Sequence, residues 1–224
     1  MRNLCIIPAR GGSKRIPRKN IKPFLGKPII AYSIEVALKS NLFDVVMVST
    51  DDEEIKNISL EYGAQVPFLR EETNSNDFAT LSDVVEEVKS SYLLKEQCFD
   101  NICCLLPTAP LVNTKIIKDG LNLLIEEDVD STRPVVRYSY PIQRALILDE
   151  KNKMSFLNNE NAKIRSQDLS PTFHDAGMFY WMNFDKGLKG TNKYAFEIPE
   201  ILAQDIDTFE DWQYAELKFK FLNK

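Results

Sequence analysis

Two groups of residues, far apart in the chain, carry types and spacings that could do chemistry together. Between positions 10 and 19 the chain sets Arg10, Lys14, Arg15, Arg18 and Lys19 around Gly11, Gly12 and Ser13, and no acid occurs before Glu35. Adjacent glycines can take positive φ and aim backbone N–H groups into one concavity, and fixed cations around such a nest suit a polyanion. The pattern is that of a phosphate cradle, but of neither common kind: Gly11-Gly12-Ser13-Lys14 lacks Walker spacing, and G-x-G-x-x-G is absent. The plain alternative is an exposed basic loop after a strand. Acid-free clustering of cations in a chain of net charge −5 favours a triphosphate or similar ligand.

The second group is Gln204-Asp205-Ile206-Asp207. In an extended segment side chains alternate, so Asp205 and Asp207 share a face. Carboxylates so placed can share one hard cation, and Mg²⁺ takes one or two of them with phosphate oxygens filling its octahedron. From spacing alone an exposed D-x-D with Asp207 helping to cap a helix is the commoner reading; a triphosphate at the basic loop would need the metal. His174, the only histidine, lies beside Asp175, which does not by itself make a catalytic dyad. Arg137, Arg144 and Arg165 could hold a substrate carboxylate through their guanidinium forks, or could be surface charges. No serine or cysteine has a nucleophile context such as G-x-S-x-G.

The elements that must position these groups read as an α/β chain. A short apolar strand at 4–7 stops at Pro8, a helix with Pro28 in its first turn follows at 28–40, and Val45-Val46-Met47-Val48 ends in Ser49-Thr50-Asp51-Asp52, which caps a helix over 53–62. This βαβα alternation predicts a mostly parallel sheet. A short strand at 65–68, a polar stretch at 71–77, a helix at 78–95, a buried strand at 101–106 stopped by Pro107-Thr108-Ala109-Pro110, and a helix at 114–127 come next. In such sheets ligands collect beyond the carboxyl ends of strands, where Arg10, residues 49–52 and residues 107–110 all fall. After a strand at 132–137 the regularity lapses, and 138–176 reads as an inserted β-rich arm, expected to be ordered against a second copy of the chain. Regular core resumes at 177–182, and Thr208 caps a last helix over 209–222 with Asp211 at its third position.

With 224 residues, 44% of them hydrophobic and 27% charged, one soluble domain (1–224) carrying that arm is expected. The net acidity argues against general affinity for nucleic acid or anionic membranes, so local basicity marks a site. Cys5, Cys98, Cys103 and Cys104 show no C-x-x-C spacing, and three lie in or beside apolar runs, which argues against structural zinc and a disulfide framework. With no signal-like N-terminus and no apolar run of membrane-spanning length, a reducing cytoplasm is the expected setting.

Several segments carry a resemblance across nearly the whole chain. IIPARGGSKRIPRKNI from Ile6, VSTDDEEI from Val48, PFLR from Pro67, PTAPL from Pro107, RSQDL from Arg165 and QDIDTFEDW from Gln204 resemble the cytidylyltransferases that activate nonulosonic, sialic-type acids. YPIQRA from Tyr140 and FHDAGMFYW from Phe173 are most similar to the pseudaminic acid branch of that family. Its N-acetylneuraminate branch has glutamine where this chain has Leu106, and arginine-proline-asparagine-glycine where it has His174-Asp175-Ala176-Gly177.

The resemblance implies a Rossmann-like nucleotidyltransferase fold, a homodimer whose arm reaches toward the neighbouring site, Mg²⁺, and transfer of cytidine monophosphate from CTP with loss of pyrophosphate. It assigns Arg10, Ser13, Lys14, Lys19 and Asn20 to the triphosphate and ribose, Arg70 and Ala79 to the cytidine, Asp205 and Asp207 to the metal, and Gln143, Arg144, Arg165 and His174 to the sugar side. The expected mechanism is direct attack by the sugar hydroxyl, with Arg10, Lys19 and Asp207 as the catalytic set. Legionaminic or N-acetylneuraminic acid as acceptor is an alternative within the class. A non-catalytic nucleotide-binding module is an alternative outside it, against which the D-x-D counts. A nicotinamide oxidoreductase would need the missing glycine fingerprint.

Overall fold

The computed structural model describes residues 1–75 and 78–223. The end of the predicted polar stretch, Asn76 and Asp77, lies outside the described residues. Strand β1 (Asn3–Pro8) leads through the basic loop to a small antiparallel pair, β2 (Pro23–Phe24) and β3 (Lys27–Pro28), and then to α1 (Ile29–Ser40). Next come β4 (Val45–Ser49), α2 (Glu53–Glu61), α3 (Leu81–Leu93), β5 (Asn101–Leu105), α4 (Thr114–Glu126) and β6 (Ser131–Arg137). The last third holds β7 (Leu146–Leu148), β8 (Met154–Phe156), β9 (Phe173–Asp175), β10 (Phe179–Asn183), β11 (Lys193–Glu197) and α5 (Phe209–Leu222).

The main sheet runs β4-β1-β5-β10-β6-β11, with β9 also paired to β6. Strands β4, β1 and β5 are parallel, as are β6 and β11, and β10 runs antiparallel between β5 and β6. The continuous apolar runs of β1, β4 and β5 follow from burial on both faces. Cys5, Ile7, Val48 and Cys103 pack with the inner faces of α1, α2 and α4. Leu4, Ile6, Met47 and Cys104 face Val85, Val88 and Tyr92 of α3 on the other side. Trp181, fully buried on β10, donates its indole N–H to the Ile117 carbonyl at 2.9 Å and stacks on Phe43. Cys5, Cys103 and Cys104 are buried free thiols, with Cys5 opposite Cys103 across β1 and β5; burial raises all three and pushes Cys104 up to about 12. Cys98 is exposed.

A third apolar cluster lies off the sheet. Ile16 of the basic loop, Phe24, Ile29 of α1, Ile206, and Trp212 and Ala215 of α5 are all buried together, with Phe24 edge-on to Trp212, Tyr32 and Phe219. It joins the first thirty residues to the last twenty.

Several expected elements differ. Residues 65–68 form no strand; Gln65 makes one isolated bridge to Met47, a contact too short for a ladder. The third helix starts at Leu81 rather than 78, because Thr80 caps it through the Asp83 N–H while Asp83 returns a bond to Thr80 N. Pro28 sits outside α1 as its N-cap, in β3. Strand β11 is not among the expected elements: its apolar stretch, Tyr194-Ala195-Phe196, is short, and four of the strand's five residues are exposed. Among the described residues no helix is long and apolar enough to cross a membrane.

The last helix forms as expected. Thr208 Oγ1 accepts from the Asp211 N–H at 3.2 Å, and the Asp211 carboxylate takes the Thr208 N–H at 2.8 Å and the Asp207 N–H at 3.1 Å. Thr208→Ala should cost about 1 kcal/mol of stability through loss of the cap, read as a lower denaturant midpoint at unchanged m.

Candidate active site

A cleft of about 470 Å³ opens beyond the carboxyl ends of β1 and β5. Arg10, Ser13, Lys14, Arg15, Lys19, Asn20, Arg70 and Ala79 line it, so most of the predicted nucleotide-side residues converge. The remaining wall is apolar and polar by turns, with Ile16, Leu81, Val84 and Leu106 beside Asn74, Thr80 and Thr108. Thr108 falls in the expected 107–110 stretch, whereas Asn74 and Thr80 were not expected as site residues. The helix-start pattern Thr80-x-x-Asp83 could have marked the second of them, since it ends the polar stretch and opens a helix at the cleft.

Specific contacts hold Arg70, Lys19 and Arg15. The Arg70 side chain is buried at the end of β4, donating from Nε to Ser49 Oγ at 3.0 Å and from Nη2 to the Ser49 carbonyl at 2.5 Å. Desolvation pulls its basicity down, yet a guanidinium starting so high stays charged. Asn20 is buried and donates to the Arg10 carbonyl at 3.0 Å, so it sets the course of the loop. Lys19 donates to the Ile206 carbonyl at 2.6 Å and reaches Asp207 Oδ1 at 3.5 Å. Arg15 makes the closer approach to Asp207 Oδ1, 2.7 Å.

Three expectations need correction. Neither Gly11 nor Gly12 has positive φ or lines the cleft. The Gly11 N–H is given to Asp51 Oδ1 at 3.0 Å, so an anion would be held chiefly by side chains rather than by a backbone nest. Gly11 is required by close approach: a Cβ there would lie 2.6 Å from Asp52 Oδ2, whereas Gly12 faces open space. Arg18 does not belong to the cradle either. It takes the left-handed conformation at φ 54° and turns to Asp52 and Glu54 at the start of α2, its Nη2 2.9 Å from Asp52 Oδ1. That guanidinium holds the Asp52 carboxyl below its usual range, while Asp52 also caps α2 through the Ile55 N–H.

On the acidic side, Ile206 is fully buried in the third cluster, which pins Asp205 and Asp207 on either side of it. The surroundings withdraw water from the Asp205 carboxyl, and the Asp207 charge adds to that effect, so Asp205 is raised above the usual carboxylate range. Two hard oxygen donors flanking one buried residue, one of them raised partly by the charge of the other, suit a divalent cation. Among the described residues no group of three or more His, Cys, Asp or Glu side chains could hold a metal, so phosphate and water oxygens would have to complete the shell.

Asp205 lines a second cavity, about 320 Å³, together with His174, Asp175, Gln204, Asp211 and Lys218. His174 Nδ1 lies 2.9 Å from the Asp175 carbonyl, an arrangement in which Nδ1 carries the proton. The other sugar-side candidates are not brought to this cavity. Gln143 donates to the Ser170 carbonyl, Arg144 to Ser166 Oγ and Arg165 to Asp168, all within the 138–176 segment. Local turns of that segment engage these side chains, leaving Gln143 Oε1 buried without a partner, which their sequence spacing could not reveal.

The fold is α/β, a mostly parallel sheet flanked by helices with its cleft beyond the carboxyl ends of the strands. The chain superposes over 99% of its length on all of CMP:2-keto-3-deoxy-manno-octonic acid synthetase complexed with CTP, at TM-score 0.73 and 17% identity. It also superposes on the 4-diphosphocytidyl-2C-methyl-D-erythritol synthase of Anaerococcus prevotii, with 98% of each chain covered, at TM-score 0.63 and 13% identity. The sequence narrows the class: residues 4–221 match the family described as cytidylyltransferase. The chain belongs to the cytidylyltransferase family. It is 45% identical to the pseudaminic acid cytidylyltransferase of Campylobacter jejuni, covering 98% of this chain and 97% of that one. To N-acylneuraminate cytidylyltransferase A of Danio rerio it is 32% identical, over 98% of this chain and 52% of the relative.

Ile206→Ala should destabilise the protein by about 2–5 kcal/mol, by lost burial and a residual cavity. The same substitution should loosen Asp205 and Asp207 together, read as faster amide exchange at both.

Proposed function

We propose that this chain transfers the cytidylyl group of CTP to the anomeric hydroxyl of pseudaminic acid, releasing pyrophosphate. The observation that carries the reading is Lys19, which lines the cationic cleft and at the same time holds Ile206 and Asp207. Through it the cradle and the D-x-D become one site. Pseudaminic acid is favoured over other nonulosonic acids because the full-length 45% identity is to an enzyme named for it, and because Leu106 lines the cleft where the neuraminate branch carries glutamine. Against a non-catalytic module stands the family membership together with both carboxylates of the D-x-D.

Arg10, Ser13, Lys14 and Lys19 would bind the triphosphate, with Arg70 and Ala79 toward the cytidine, where Leu81 and Val84 supply an apolar wall. Asp205 and Asp207 would hold Mg²⁺, which when bound neutralises phosphate charge and makes the attacking hydroxyl more acidic. The hydroxyl oxygen bonds to the α-phosphorus as the bond from that phosphorus to the bridging oxygen breaks, the hydroxyl proton passes to Asp207 or to water, and Arg10 and Lys19 compensate the charge gathering on pyrophosphate. Arg15 and Lys19 share Asp207, and Arg15 would turn from that carboxylate to the phosphates were Asp207 to hold a metal. The cavity at Asp205 and His174 is the side from which the sugar acid would approach. Segment 138–176 is read as a dimer arm: Leu146, Ile147, Leu148 and Met154 are each at least half exposed in the β7–β8 hairpin, and a second copy covering them would complete that surface.

Arg10→Ala should weaken CTP binding by about 1.5–3 kcal/mol, roughly 10- to 150-fold by titration calorimetry. Unchanged affinity would remove the loop as cradle. Asp207→Ala should abolish pyrophosphate release while leaving CTP binding measurable; full turnover with Mg²⁺ would defeat the metal assignment. A panel of nonulosonic acids compared by kcat/KM should place pseudaminic acid first, and a higher value for legionaminic or N-acetylneuraminic acid would transfer the assignment to that acid.

A further inference from the structure

The Asp175 carboxylate is the hub of a polar brace outside the cationic cleft. It accepts the Gly177 N–H at 2.8 Å and the Arg133 guanidinium at 3.1 Å. Arg133 in turn lies over the Tyr180 ring, 4.8 Å from its centroid. Neighbouring His174 needs none of these contacts, since its Nδ1 is satisfied by the Asp175 backbone.

The brace spans a break in the sheet. Val135 of β6 is paired with Asp175 and Thr132 with Trp181, so the β9–β10 run spends twice as many residues as β6 over the same stretch. The break falls at Pro134. Its carbonyl accepts the Ala176 N–H at 3.2 Å, but proline has no N–H to return the bond, and the ladder cannot continue there. The extra residues bow outward and carry Gly177, at φ +63°, against Asp205; a Cβ on Gly177 would lie 3.3 Å from both Cβ and Cγ of Asp205.

We infer that Asp175 is a positioning residue for Asp205: held by Arg133 and the Gly177 N–H, it presses the bare Gly177 backbone against the Asp205 side chain and fixes the direction of that carboxylate. Asp175 and Asp205 line the same cavity, so the brace orients one wall of the acceptor side by acting on another. The inference rests on the reading of Asp205 as a metal-side carboxylate. A partly exposed ion pair contributes little to global stability, so a local, directional role is the one such a brace can perform.

The test measures Mn²⁺ binding to the CTP-loaded protein by electron paramagnetic resonance, with kcat and both KM values alongside, in Asp175→Asn, Gly177→Ala, Asp205→Asn and the double variant Gly177→Ala/Asp205→Asn. Removing an outer partner of a metal-holding carboxylate should weaken Mn²⁺ binding about tenfold or more in Asp175→Asn and Gly177→Ala, lowering kcat while KM for CTP holds. Because Gly177 acts through Asp205, the double variant should bind Mn²⁺ no more weakly than Asp205→Asn alone. Wild-type Mn²⁺ affinity and kcat in Asp175→Asn and Gly177→Ala, with both impaired in Asp205→Asn, would overturn the brace and leave the site reading standing. An unimpaired Asp205→Asn would overturn the site reading and the brace with it. Should Gly177→Ala fail to fold, Asp175→Asn, which alters no backbone conformation, decides alone.

Discussion

The site depends on an apolar contact between two charged segments. Ile16 belongs to a loop crowded with cations and Ile206 to a segment of acids, and neither segment has enough apolar residues to form a core of its own. Buried together with Phe24, Ile29 and Trp212, these two side chains make the loop and the D-x-D neighbours although nearly the whole sequence lies between them. Hydrophobic burial is non-directional and is not screened by salt, so it can hold the charges in place without specifying their pairing. The pairing is left to short polar contacts, Lys19 to Ile206 and Arg15 to Asp207, which can be exchanged when a ligand enters.

The same division explains the cations. Five of them share one loop, but the fold gives them different work. Asn20 fixes the Arg10 carbonyl, Arg18 is committed to Asp52 and Glu54, and Arg70, seventy residues into the chain, supplies a buried guanidinium at the floor. Asp52 caps α2 while also binding Arg18 and standing where only glycine fits at position 11. One carboxylate thus ties the loop's course to the start of a helix.

How much of this was legible in the sequence follows from how local each signal is. Strands β1, β4 and β5 are buried on both faces and therefore announce themselves as apolar runs, and the Thr208–Asp211 capping box is readable because both partners lie within one helical turn. The cleft's cations were readable from composition, and the family resemblance located Arg70 and Ala79, which no spacing would connect to the loop. What was not legible depends on contacts across the chain. The glycines were read as conformational when the limiting factor at Gly11 is space, set by Asp52 forty-one residues away. Arg18 was counted with the cradle because a sequence does not show which way a side chain turns. The excursion between β9 and β10 was missed because a proline within β6 has its effect on the neighbouring strand.

The buried thiols have a practical consequence. Cys5, Cys103 and Cys104 are sealed inside the sheet with their ionisation suppressed, whereas Cys98 is exposed just before β5. Since the thiolate is the reactive form, an alkylating reagent meets one reactive cysteine in the native protein and four once the sheet opens. The molecule therefore carries its own internal clock for opening of the β1–β5 core, in the rate at which labelling passes from one group to four.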